Sequence, residues 1–355
     1  MLTTILTAIA VLALLTLVHE LGHFAVAKST GVRVEEFGLG YPPRLLTLGR
    51  WGGTDYTLNA IPFGAFVRLA DEGEPGALLA DKRREVRAAF LLGGPACNLL
   101  LAVLLFAICF ATGWPVPHDL AVGVNKVIPG SVAQAVGFED GDLILATDDH
   151  EVSNSLELIM YARSVDGSVR SVTLRRRGRI FSLNLPAGGP WFTKIETRGV
   201  QIRDAAGWTQ IVNYPWPEAI RRAIGQTAAT AGYLFSLITR VLRGLVPVDV
   251  VRPVGPVGIA QLTGQAAREA ASSGWWFPLL QITAALSAAL AATNLLPIPG
   301  LDGGRLVFIL LEAVRGRRFD PNRENLVHLA GLILMLMLIL IVTYRDIAVP
   351  LPFGR

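Results

Sequence analysis

Apolar residues in this chain gather in long runs with few interruptions. One run starts at Leu2 and continues to about Lys28. Others cover about Ala88–Thr112, Leu279–Leu296 and Leu326–Tyr344. Crossing about 30 Å of hydrocarbon at about 1.5 Å per residue takes close to twenty residues. The pattern therefore predicts four membrane helices, with a shorter apolar helix over Leu306–Ala313 between the last two. The first run lacks a basic leader and a clear small-residue cleavage site, so it reads as a retained helix and not as a signal peptide.

Between the runs the pattern changes. Residues 31–70 hold three short candidate strands, at 32–40, 55–61 and 63–69, separated by Gly and Pro turns. They form either a small surface hairpin or a β-loop that dips into the membrane among the helices. From Trp114 to about Pro186 the chain alternates turn, strand and helix: a strand over 122–127, a turn into a short helix over 129–138, a strand to Thr147, a helix over 155–164, and a hairpin closing on Arg177-Gly178. Residues 188–278 are punctuated by Trp191, Trp208, Trp216, Trp275 and Trp276, which points to a membrane surface. Within them 217–245 is a long helix with arginines beside apolar residues. It is either a surface helix, the reading its Gln, Thr and Ser favour, or a further span from Ala223 to Leu242.

Composition agrees with a membrane protein. Of 355 residues 52% are hydrophobic and 17% charged, with a mean hydropathy of +0.48. The net charge of +4 is a matter of topology, not of nucleic-acid binding, because the basic residues flank apolar runs. Lys28, Arg33, Arg44, Arg50, Arg68, Lys82, Arg83, Arg84 and Arg87 load the first loop, and Arg315, Arg317, Arg318 and Arg323 the last. Both loops are expected on the cytoplasmic side. Cys97 and Cys109 lie in an apolar run and read as packing residues.

The candidate chemistry begins in the first run, at His19-Glu20-Leu21-Gly22-His23. On a helix, residues i and i+4 share a face, so His19 and His23 can offer two imidazoles to one zinc ion, with Glu20 beside them to take a proton from water. Catalytic zinc usually has three protein ligands. Asp302, in Pro297-Ile298-Pro299-Gly300-Leu301-Asp302-Gly303, is the natural third. His328 and Glu312 are the rival candidates. Asn98 is a polar group in an apolar helix, bonded either to a neighbouring helix or to the site. His150 reads as a solvated turn residue.

Together these motifs resemble the site-2 protease family of intramembrane zinc metalloproteases. His19–His23 matches its first motif, Gly94-Pro95-Ala96-Cys97-Asn98 its second, and Asn294–Gly303 its third; Pro253–Ala260 resembles the segment before that last helix. Pro129–Ala133 and Gly141-Asp142-Leu143-Ile144 resemble a bacterial PDZ domain, although Asp148-Asp149-His150 stands where such domains often have Asn-Gly. The whole is similar to the bacterial branch with one inserted PDZ domain that cleaves anti-sigma factors.

The resemblance implies an α-helical polytopic protein with a membrane-associated β-loop and an inserted extracytoplasmic α+β PDZ domain. Its parts are residues 1–113 with the loop at about 31–70, the PDZ domain at 114–187, a membrane-surface linker at 188–278, and 279–355. It implies the inner membrane, both termini outside, a catalytic centre toward the cytoplasm, and Zn2+ held by His19, His23 and Asp302 with Glu20 as base. Asn294, Asn98, Gly38 and Gly40 are the expected substrate-binding residues; Leu39 and Tyr41 stand near where the family has phenylalanine. The expected partners are single-span membrane proteins, a peptide or ectodomain at the PDZ domain, and lipid. The rival readings are a PDZ scaffold that binds such proteins without cutting them, and a different membrane metalloprotease acting on soluble chains.

Overall fold

The structure, a computed structural model, describes residues 2–70, 77–187, 190–243 and 254–348. In chain order the elements are helix α1 (Leu2–Ser29), strands β1 (Val34–Trp51) and β2 (Thr54–Leu69), helix α2 (Arg84–Thr112), β3 (Trp114–Val127), α3 (Val132–Val136), β4 (Leu143–Thr147), β5 (His150–Glu151), α4 (Ser155–Ser164), β6 (Ser171–Arg176), β7 (Arg179–Asn184), β8 (Glu196–Thr197), β9 (Val200–Val212), and helices α5 (Trp216–Leu242), α6 (Pro256–Ser273), α7 (Phe277–Asn294), α8 (Asp302–Arg315) and α9 (Pro321–Ala348). Two compact units result: Gly113–Asn213, and the remainder, Met1–Thr112 with Tyr214–Arg355.

In the helical unit, α1, α2, α7 and α9 are long and apolar enough to cross a membrane. The chain is a multi-pass membrane protein. Helix α1 meets α2 where Gly22 faces Gly93; a Cβ on Gly22 would stand 2.1 Å from the Gly93 carbonyl oxygen. Glycine at both positions lets the backbones touch. The basic loops meet at one end of this unit. Arg87 pairs with Glu312 at 2.8 Å, Lys82 donates to the Thr30 carbonyl, and Arg318 donates to the carbonyls of Ala80 and Lys82. At another point Asp346, near the end of α9, accepts from the backbone N–H groups of Gly255 and Gly258 and so caps α6.

Three expectations change here. The three short strands are two long bent ones. Val34–Leu39 pairs on one side with Ala65–Leu69 and on the other with Asp55–Leu58, which in turn pairs with the second half of β1. The bends are made near Gly40 and Gly64, whose φ angles of +76° and +77° suit glycine. Helix α5 is not among the helices apolar enough to span; it lies against α2 and α7 through the small stripe Ala219, Ala223 and Thr227, which are buried. Its expected last residues, 244–245, lie outside the described residues, as do Pro253 and the C-terminal residues after Ala348. Helix α6 falls within the expected linker: Pro256 opens it and Gly274, at φ +71°, closes it.

The unit Gly113–Asn213 extends past the expected boundary at residue 187. Its sheet runs β7-β6-β4-β3-β9-β8, with β5 beside β4, and β9 pairs with β3 from Trp114↔Val212 to Val127↔Val200. Without β9 the long strand β3 would lose one of its two neighbours. Trp191 and Phe192 are core residues of this unit, not surface markers. The short elements agree with expectation: Ser131 caps α3, Asn154 caps α4, and β6–β7 turns on Arg177-Gly178. Asp148 and Asp149 both adopt positive φ, at 47° and 66°, so the β4–β5 hairpin makes the turn that Asn-Gly would make. His150 is exposed and stacks on Tyr161.

Candidate metal centre

The centre is built from two distant parts of the helical unit. His19 and His23 stand on consecutive turns of α1, roughly 15 Å and 9 Å from its end at about 1.5 Å per residue. Asp302 arrives at the first turn of α8. The prolines at 297 and 299 end the preceding helix, and a helix N-terminus favours a carboxylate. His328 and Glu312 are turned elsewhere. His328 accepts the Gly300 backbone N–H through Nδ1 at 3.0 Å and so braces the turn that carries Asp302; Glu312 pairs with Arg87 and Arg318.

His19 Nε2, His23 Nε2 and Asp302 Oδ2 face one another. The separations are 3.1 Å from His19 to Asp302, 3.4 Å from His23 to Asp302, and 3.1 Å between the two imidazoles. Bond lengths of about 2.0–2.1 Å in a tetrahedral zinc site place ligand atoms roughly 3.3 Å apart. The triangle fits that ion. Both histidines are buried, and a cation shared between the three groups would offset the cost of gathering them in an apolar setting. Gly94 keeps the space clear: a Cβ there would stand 2.5 Å from His23 Nε2 and 2.7 Å from His19 Nε2.

Glu20 follows His19 on α1, and the backbone N–H of Val67 on β2 points to its carboxylate. Val67 belongs to the segment Ala65–Leu69, which among the described residues pairs on one side only, with Val34–Leu39. An unpaired strand edge therefore runs beside the centre. The hairpin is pinned to α1 by Phe24 against Phe37 and Tyr56, with ring centroids 5.1 and 6.1 Å apart. It is held internally by Glu36, which is buried and receives Thr57, Arg44 and Arg68. Burial opposes its ionisation, but the Thr57 and Arg44 hydrogen bonds and the Arg68 charge outweigh it and hold the carboxyl below its ordinary range.

The expected substrate-binding residues are placed differently. Gly38 and Gly40 are buried in the hairpin. A Cβ on Gly38 would strike the Phe66 ring at 2.3 Å, and one on Gly40 the Ile61 carbonyl oxygen at 2.4 Å. These glycines shape the hairpin and have no face open to a peptide. Asn98 is fully buried beside His19 Nδ1, on the ring edge away from Asp302. Asn294 ends α7 and donates to the Leu290 carbonyl of its own helix. On sequence alone the loop around Phe37–Leu69 is the one expected to pair with an extended substrate; that the open edge is 65–69 depends on β1 being shared between two halves of β2.

Three side chains that could hold a metal ion, beside the carboxylate of Glu20 and inside a bundle of membrane-length helices, fit the class of membrane-embedded metallohydrolases. The model of Peptidase family M50 matches residues 7–338. A candidate zinc metalloprotease of Agrobacterium fabrum is 30% identical over 366 positions, covering 96% of this chain and 94% of its own. One of Clostridium acetobutylicum is 30% identical over 356 positions, covering 98% of each. The zinc metalloprotease RasP of Geobacillus kaustophilus is 26% identical over 429 positions, also covering 98% of each. The chain belongs to peptidase family M50, the site-2 proteases, and is a zinc metalloprotease of the membrane-embedded kind.

Proposed function

We propose that this protease cuts a peptide bond within the membrane helix of single-span proteins such as anti-sigma factors. The observation that carries the reading is the half-closed centre of His19, His23 and Asp302 lying beside an unpaired strand edge. These three residues hold the zinc. When bound, zinc supplies a Lewis acid and brings the pKa of water toward neutrality.

The chain's own residues do the rest. Glu20 takes the proton from the attacking water and returns it to the leaving amine. A helical substrate has its carbonyls already hydrogen-bonded and must unwind before attack. The edge at Ala65–Leu69 offers the freed segment new backbone partners, as a strand added to a sheet. Asn294, at the end of α7 and one loop before Asp302, is the residue we assign to hold the substrate backbone. The enzyme works in the inner membrane with the basic loops cytoplasmic. Gly113–Asn213 is then an extracytoplasmic PDZ domain that meets a peptide or the substrate's ectodomain. The capped turn at Gly130–Ala133 and the strand order support that assignment.

The test is co-expression with single-span proteins, comparing wild type with Glu20→Gln and mapping the cut. The expected result is a cut inside the hydrophobic segment, slowed between about 10²- and 10⁴-fold in the variant, which keeps its zinc. Cleavage only in soluble loops, or full activity in Glu20→Gln, would sink the proposal.

A further inference from the structure

The two imidazoles of the centre are supported from behind by different groups. Both offer Nε2 to the ion, since His19 Nε2 and His23 Nε2 are the atoms that face Asp302. A ring nitrogen that binds a cation must carry a lone pair, so each neutral ring keeps its proton on Nδ1. For His23 this is satisfied: Nδ1–H donates to the Phe90 carbonyl at 2.7 Å. For His19 the group facing Nδ1 is the Asn98 amide, whose Nδ2 lies 3.3 Å away. In the zinc-binding tautomer that arrangement sets one donor against another. The Asn98 oxygen, meanwhile, is buried and has no hydrogen-bond partner among the described residues.

The two ends of a carboxamide have nearly the same shape, and the hydrogen-bond network decides which is which. A half-turn of the Asn98 amide replaces a donor–donor contact with a bond from His19 Nδ1–H to Oδ1. One end of the amide remains without a partner either way, so the His19 bond is the net gain. Resting on the reading of His19 as a zinc ligand, we infer that Asn98 presents its oxygen to His19 Nδ1–H and is a positioning residue of the zinc centre, not a substrate-binding one.

Helix α2 then supplies both supports, one from its backbone at Phe90 and one from a side chain at Asn98. The register of the two follows from the close passage of α2 past α1 at Gly93 and Gly94. Pro95 lies between them and has no N–H for the Leu91 carbonyl, which loosens the turn next to Phe90. The position of Asn98 is itself held, because its backbone carbonyl accepts the Ser287 hydroxyl of α7 at 2.7 Å. One residue thus joins a ligand-bearing helix to two others. Outer partners of this sort orient the ring and raise its basicity, and losing one commonly costs 10- to 100-fold in metal affinity.

Zinc affinity of the purified full chain in detergent, by chelator competition, tests this with Asn98→Asp and Asn98→Leu. Melting of the metal-free proteins is recorded alongside. Asn98→Leu keeps the size but has no acceptor, and is expected to bind zinc about 10- to 100-fold more weakly. Asn98→Asp keeps an acceptor and has no N–H donor, so it should bind within about threefold of wild type or tighter, with an unchanged visible spectrum when cobalt(II) replaces zinc. Wild-type affinity in Asn98→Leu overturns the inference. So does a tenfold loss in Asn98→Asp, which speaks for itself even if Asn98→Leu fails to fold. A wild type that binds no zinc removes the metal reading itself, and the inference with it.

Discussion

The helical unit and the unit Gly113–Asn213 differ in the balance of what they bury and what they leave exposed. In the latter the inside is large and apolar: Ile144, Leu158, Leu174, Trp191 and Phe192 are fully or almost fully buried. In the helical unit small residues fill much of the inside, beside Leu15, Phe106 and Phe110. Ala102, Ala284, Ala288 and Ala291 are fully buried, while Leu100 is 67% exposed, Leu104 55% and Leu340 70%. Water makes exposed leucine unfavourable, and lipid does not. Where burying leucine gains nothing, close packing of small residues decides which helix faces meet. Polar groups diverge too. Asp142 is buried against Arg176 at 2.6 Å and fastens the Glu139 turn, whereas His19, His23 and Asp302 point their polar atoms at one another.

Replacing Asp302, which is partly buried, and Asp142, which is fully buried, gives the largest contrast. Asp302→Ala is expected to lose nearly all zinc and all proteolysis while the protein stays folded. Asp142→Asn should leave zinc stoichiometry intact but destabilise its own unit by about 3–5 kcal/mol, the cost of breaking a buried pair. Metal analysis and melting of both variants check this; a zinc-replete Asp302→Ala removes it as a ligand. Leucine truncation comes next. Leu174→Ala should cost about 2–5 kcal/mol, but Leu104→Ala only about 0.5 kcal/mol or less. Equal losses in denaturant titrations would end the distinction between the two interiors. Gly22→Ala pushes α1 from α2 at their closest approach and should cost about 1–3 kcal/mol, with weakened zinc binding. A neutral result would mean that the helices have room to separate.

The smallest effect concerns pH. The Glu36 carboxyl titrates lower in the folded hairpin than when unfolded, so it contributes stability above the ordinary glutamate value of about 4.3. That contribution is lost as pH falls through the folded value. Hydrogen exchange at the hairpin amides should speed up below about pH 4, and Glu36→Gln should remove this dependence and lower protection at neutral pH. An identical pH response in the variant would assign the effect elsewhere.

Much of this was legible along the chain. Helix-length apolar runs are a local property, and so is the one-turn spacing that puts His19 and His23 on one face. Ser131 and Asn154 sit within three residues of the N–H groups they cap, and the Asp148-Asp149 turn needs only those two residues to accept positive φ. Asp302 could be put forward as a third ligand because it follows helix-breaking prolines, and the fold brings it to the two histidines. Packing between distant segments was not legible in the same way. The alternation at Val200 and Ile202 marks a strand, but pairing with β3 carries β9 into the unit that begins at Gly113. Trp191 has the composition of a membrane-surface residue and becomes core because that unit closes around it. Glycines at 38 and 40 were expected to bind substrate, and in the fold Phe66 and Ile61 fill the space beside them. Asn98 was recognisable as a buried amide in need of a partner, but its partner is on another helix, and the direction of the bond follows from the tautomer that His19 needs. Spacing within one or two turns is a matter of bonds and dihedral angles along the chain. Which faces meet, and which side of an imidazole an amide supports, is settled only when separate helices and strands exclude solvent from one another.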